Sequence, residues 1–174
     1  MVTLRCTQKL LRRGLPEDQA VDAPPNTLLG DWYANVLVAR PNHLVLCVSE
    51  RTLLPVVVPA KDIKRLPDRL AEALQLVLRG LHIELSSIDA EIGAMRTCRV
   101  GRTASKRVLG SLNELMYQLS WQLQAHPNRS LLEQSLRLAQ VPMKGVEHSS
   151  PDRATVALFA SQSVLHRAGQ RNAL

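Results

Sequence analysis

Between residues 96 and 107 the sequence reads RTCRVGRTASKR, with Arg96, Arg99, Arg102, Lys106 and Arg107 and no acid. The run feeds into an apolar-periodic segment that predicts a helix starting near Ser105. A helix start presents backbone N–H groups without intrahelical partners and the positive end of the helix dipole, and both favour an anion. Arg102, Ser105, Lys106 and Arg107 add cationic and hydroxyl donors at that point. Arg5 and Lys9 belong to a second acid-free stretch, residues 1–16. Arg5, Lys9, Arg102, Ser105, Lys106 and Arg107 form the candidate anion-binding set. The spacing lacks the G-x-x-x-x-G-K-[ST] of a phosphate-binding loop, so it points to an anion and to no named nucleotide.

A second constellation surrounds LGDWYANVLV, residues 29–38. Asp31, Tyr33 and Asn35, with Ser49 and Arg51, would put an acid, a phenol, an amide, a hydroxyl and a guanidinium at one corner. Such groups orient a small polar ligand or support proton transfer. The plainer alternative is a solvent-facing sheet surface with a weak Asp31–Arg51 ion pair. The histidines at 43, 82, 126, 148 and 166 show no ligand spacing with one another or with the cysteines, so no metal and no cofactor is expected. A nucleophile elbow, an H-E-x-x-H pair and a dinucleotide fingerprint are all absent from the sequence.

Several elements must position these groups. VTLRC (2–6) reads as a short strand, TQKLLRR as one helical turn, and GLPEDQAVDAPPNT as a Pro- and acid-rich loop. Two β-branched runs, 32–38 and 44–48, predict a hairpin closed by the three-residue loop Pro41-Asn42-His43. In that register Trp32, Ala34, Val36 and Val38 share an apolar face with Leu44, Leu46 and Val48. Trp32 then anchors the core, Tyr33 stands on the opposite face, and Gly30 permits the turn into the strand. LLPVVVP adds an edge strand because it contains Pro55. Apolar spacing predicts helices over 66–81 and 86–95. TCRVGRT is a short strand, and the second long helix runs from Ser105, or from Ser111, to about Gln124. SLLEQSLRLAQ opens on a capping box between Ser130 and Glu133. The tail reads equally as helix or strand, with its last eight residues frayed. The expected fold is α+β: a small antiparallel sheet of three to five strands with three to four helices packed mainly on the Trp32 face. A single domain over 1–140 and a partly ordered C-terminal extension over 141–174 are expected.

The net charge of +7 falls unevenly, with a third acid-free stretch at 153–174. An anionic partner follows if the basic segments meet in space. Cys6, Cys47 and Cys98 are widely spaced, which suits a reducing cytoplasm and buried thiols. The longest apolar runs fall far short of a membrane span, and MVTLRCTQKLLRR, with no uninterrupted apolar run, is not expected to act as a secretory signal.

RCTQKLL (5–11), LGDWYAN (29–35) and VLGSLNELMYQL (108–119) together resemble a family of small bacterial proteins of uncharacterised function, patterned R-C-T-x-K-L, G-D-W-Y-A-N and V-L-G-S-x-N-[DE]. The likeness spans about residues 4 to 120. Lys106-Arg107 stands where that family tends to carry Arg-Ser, and Glu114 where it carries Asp. The resemblance implies that the three segments meet in one fold and implies no activity.

Three functional expectations follow. The first is a cytoplasmic binding protein for an anionic partner, either nucleic acid or a phosphorylated small molecule, through the basic surface at 102–107. The second is a small enzyme with its site around Asp31, Tyr33, Asn35 and Arg51. The third is an interaction module for an acidic protein, which predicts an exposed apolar patch beside a basic rim.

Overall fold

The computed structural model describes residues 1–18 and 23–171, with side chains described up to residue 164. Five strands form one sheet: β1 (Val2–Cys6), β2 (Trp32–Leu37), β3 (Leu44–Ser49), β4 (Pro55–Pro59) and β5 (Cys98–Arg102), in the order β4-β3-β2-β1-β5. β2, β3 and β4 make an antiparallel meander, whereas β1 lies parallel to both β2 and β5. The sheet is therefore mixed, not antiparallel as expected. The reason is connectivity: parallel neighbours need long crossovers, and the links from β1 to β2 and from β4 to β5 each supply one. β4 is an edge strand, as Pro55 predicts.

The described residues form six α-helices: α1 (Gln8–Leu11), α2 (Leu66–Gly80), α3 (Leu85–Met95), α4 (Lys106–Ala125), α5 (Leu131–Ala139) and α6 (Pro151–Arg171). They cover both faces, which corrects the expectation of three to four helices mainly on one. Beneath the sheet, Trp32, Ala34, Val36, Val45, Cys47 and Val56 pack with apolar residues of α1, α2, α3 and α6. Above it, Tyr33, Leu44, Leu46, Val48 and Val57 pack with Val108, Leu112, Leu115 and Leu119 of α4 and Leu138 of α5. α6 resolves the ambiguous tail as helix; residues 172–174, and residues 19–22 of the acid-rich loop, lie outside the described residues.

Double coverage also corrects the hairpin register. Trp32 pairs with Ser49, Ala34 with Cys47 and Val36 with Val45, an odd shift of three residues from the expected pairing, which swaps the faces. Trp32 thus shares its face with Val45 and Cys47, and the link between the strands spans residues 38–43, not three residues. An apolar–polar alternation fixes register only where one face meets water, and every residue of β3 is buried.

Local signals elsewhere hold. Ser105 caps α4, its hydroxyl accepting the amide of Val108, and Ser130 and Glu133 form the full capping box of α5. Gly30 has φ +81°, a left-handed backbone that a side chain would strain, and so makes the turn into β2.

Candidate anion-binding site

α4 and α5 cover only the β2–β4 half of the upper face. Above β1 and β5 the face carries polar residues at alternate positions: Thr3 and Arg5 on β1, Arg99 and Gly101 on β5, in the paired order Thr3–Arg99 and Arg5–Gly101. A cavity of about 320 Å³ opens there, with Arg102 and the loop residues Glu17 and Asp18 at its rim. Asp18 donates its amide to the Val100 carbonyl at 2.9 Å, and its carboxylate accepts the Val100 amide at 2.8 Å. Those two bonds hold the loop against the outer edge of β5. Gly101 keeps the floor low, because a Cβ there would sit 3.1 Å from the Thr3 methyl group.

Asp31 supports this cavity from the mouth of β2. One of its oxygens accepts the Thr3 amide at 2.9 Å; the other accepts Nε and Nη2 of Arg5, each at 2.9 Å. The carboxylate is nearly fully buried. Its role is to hold Arg5 flat over β1, where Nη1 also reaches the Arg102 carbonyl at 3.5 Å. Arg102 in turn places Nε on both oxygens of Glu17, at 2.9 and 3.1 Å.

Tyr33 lies one strand over, buried under the start of α4, and its phenol oxygen accepts the Ser105 amide at 3.1 Å. Burial raises the phenol above its ordinary value, and the Ser105 bond opposes that only in part. The hydroxyl therefore stays protonated at neutral pH, able to donate a proton but unsuited to act as a base. The Asn35 carbonyl oxygen accepts the Thr7 hydroxyl at 2.7 Å and the Val36 amide at 2.8 Å. Asn35 thereby ties α1 to β2.

Of the residues singled out from the sequence, Arg5, Arg102, Ser105, Asp31, Tyr33 and Asn35 are brought together around the β1–β5 cavity and the start of α4. Lys9 is exposed on α1, and Lys106 is exposed on the first turn of α4. Two residues of the supposed corner are elsewhere. Ser49 lies on the Trp32 face, where the register puts it, and its hydroxyl meets Thr52 at 3.0 Å and accepts the Leu54 amide. Arg51 follows β3 and donates to the Leu28 carbonyl at 3.2 Å, so it forms no ion pair with Asp31. Arg107 donates to the Glu50 carbonyl at 3.3 Å.

Thr3, Glu17, Asp18 and Gly101 were not among the residues expected at the site, and Arg99 stood only in the basic run. A signal existed for three of them: VTLRC and CRVGR both alternate apolar with polar or small residues, which marks strands with one polar face. Glu17 offered none, since it meets Arg102 across 85 positions of chain.

Among the described residues, no group of three or more His, Cys, Asp or Glu could hold a metal ion. Among them, too, no helix is long and apolar enough to cross a membrane. A family model described as a domain of unknown function, DUF6933, matches residues 3–154. No curated protein matches the chain.

Proposed function

The chain belongs to the DUF6933 family, a domain of unknown function, and on that premise we propose that it binds a small anionic ligand, a phosphorylated or carboxylated molecule, over the β1–β5 half of the sheet. The observation that carries this reading is the polar portion of a sheet face, covered by no helix among the described residues, beside a part packed with apolar side chains. Arg5 is held rigidly by Asp31, and Arg102 is the adjustable partner. The Arg102 side chain is 68% exposed, and its bond to Glu17 is a surface pair worth about 0–1 kcal/mol. An incoming anion takes the place of the Glu17 carboxylate at little cost.

This geometry favours a small ligand over a nucleic acid. The cavity holds about 320 Å³, within the range of small-molecule sites and unlike an open surface that tracks a phosphate backbone. The free thiols Cys6, Cys47 and Cys98 fit a cytoplasmic setting.

Calorimetric titration with a panel of phosphorylated and carboxylated compounds tests the reading. Arg102→Ala should weaken binding, whereas Glu17→Ala should strengthen it by releasing Arg102. If both variants bind like the natural chain, the cavity is not the site. Polarisation of labelled duplex DNA at roughly 50 and 200 mM salt covers the nucleic-acid alternative, which requires a steep fall in affinity with salt.

One observation favours a second reading, an interaction module. Tyr117 and Trp121 stack edge to face on the outer side of α4, their centroids 6.3 Å apart, and are 61% and 57% exposed. Lys106 and Arg107 stand on the first turn of the same helix. Trp121→Ala should abolish capture of an acidic partner without altering small-anion binding.

A further inference from the structure

Arg51 and Arg107 come from distant segments, the turn after β3 and the first turn of α4, yet they line one cavity of about 440 Å³. Each guanidinium rests on a neutral acceptor, a backbone carbonyl, at 3.2 and 3.3 Å. Among the described residues neither makes an ion pair. That separates them from Arg5 and Arg102, both of which hold carboxylates. Glu91 is near enough to Arg51 for the two charges to interact, but its oxygens accept the amides of Leu28 and Leu29 at 2.7 and 3.0 Å.

The rest of the cavity is two-sided. His148 and Glu147 come from the loop after α5, and Ala154, Ala157 and Leu158 of α6 form an apolar wall. Two guanidiniums and an imidazole thus face a single carboxylate. The loop is closed on itself by the Met143 amide donating to the Ser149 carbonyl at 2.9 Å, with His148 and Ser149 both left-handed, φ +64° and +72°. Consecutive left-handed residues other than glycine persist only where their surroundings hold them.

A guanidinium presents forked N–H donors that match phosphate oxygens, and two of them lining one cavity, outnumbering the single Glu147 carboxylate there, favour a dianion. The volume exceeds what a bare phosphate fills and lies in the range of about 300–1,000 Å³ typical of small-molecule sites. We propose that this cavity binds a small phosphomonoester, its phosphate between Arg51 and Arg107 and its carbon chain against Ala154, Ala157 and Leu158. The site shares no lining residue with the β1–β5 cavity. It stands whether or not the reading of that cavity holds.

The test is titration of glycerol 3-phosphate into the full chain, followed by calorimetry and by amide chemical shifts. Saturable binding is expected, with shifts concentrated at the amides of Thr52, Gly145 and Ala154. Arg51→Gln and Arg107→Gln should each weaken it by about tenfold or more, the loss of one charge-assisted bond, and the double variant should abolish it. Arg65→Gln, which removes an exposed charge elsewhere, should leave it unchanged. Glycerol should not bind, and malonate should bind more weakly. The proposal is overturned by absence of saturable binding, by shifts confined to other amides, by binding that survives the double variant, or by malonate binding as tightly as the phosphomonoester.

Discussion

Arg5 and Asp31, 26 positions apart, share one carboxylate oxygen through two guanidinium nitrogens at 2.9 Å, while the other oxygen of Asp31 takes the Thr3 amide. A single buried acid thus fixes both a side chain and the backbone of β1. Asp31→Ala should cost about 1–3 kcal/mol or more, because it removes the acceptor of the buried Thr3 amide and of two Arg5 nitrogens at once. Arg5→Ala should cost less, since the carboxylate keeps the amide, and the double variant should be less damaging than the sum of the two. Chemical denaturation of the three variants measures this; a strictly additive double variant would show that the pair is not coupled.

Ser135 deals with the exposed edge of the sheet. Its hydroxyl, reaching from α5, accepts the Val57 amide of edge strand β4 at 2.9 Å and donates to the Leu131 carbonyl at 2.8 Å. Ser135→Ala leaves a buried amide without an acceptor and should cost about 1–3 kcal/mol. Hydrogen exchange at Val57 should accelerate more than at other amides of β4, and an unchanged rate would contradict the assignment.

Glu91 gives the fold a pH dependence. Burial raises its carboxyl above the ordinary glutamate value, against the opposing pull of the Leu28 and Leu29 amides. The native state therefore keeps a proton at a pH where the unfolded chain has lost it. The associated stability is fully present below the ordinary value and is lost as pH rises through the raised one. As pH rises above the ordinary glutamate value of about 4.3, the natural chain should lose stability relative to Glu91→Gln. Denaturation midpoints that run parallel across that range would show that Glu91 titrates normally.

The three thiols should be inert in the native protein. Burial pushes Cys6 up to about 12 and Cys98 up to about 11, and Cys47 rises well above its ordinary value. Since the thiolate is the nucleophile, an aromatic disulfide reagent at neutral pH should label the chain only on unfolding, with half-buried Cys98 reacting first. Rapid native labelling of Cys6 or Cys47 would show that the sheet opens there.

The parts of this fold legible in the sequence are those encoded locally. The stripe Leu66, Leu70, Leu74, Val77 and Leu78 gives α2, Ser130 with Glu133 gives the start of α5, and Pro55 marks an edge. The hairpin register was not legible, because Leu44 to Ser49 are buried on both sides and a slip exposes nothing. The parallel setting of β1 was not legible either, as it depends on crossovers and not on strand composition. The site divides in the same way. Tyr33, Asp31 and Arg102 stand out by residue type, but Glu17 opposite Arg102 is a purely tertiary fact. Arg51 and Arg107, placed in separate groups by the sequence, share a cavity for the same reason.

The position of β1 between β2 and β5 bears on the order in which the molecule assembles. The β2–β3–β4 meander closes over short spans, whereas the contact between Arg5 and Arg102 bridges 97 positions. Closing so long a loop is entropically expensive and slow, so the β1–β5 seam is expected to form late and to open early. The floor of the β1–β5 cavity is that seam. A ligand seated across Arg5 and Gly101 would act as a clasp between the early and late parts of the chain, and its concentration would set how firmly the last strand stays zipped.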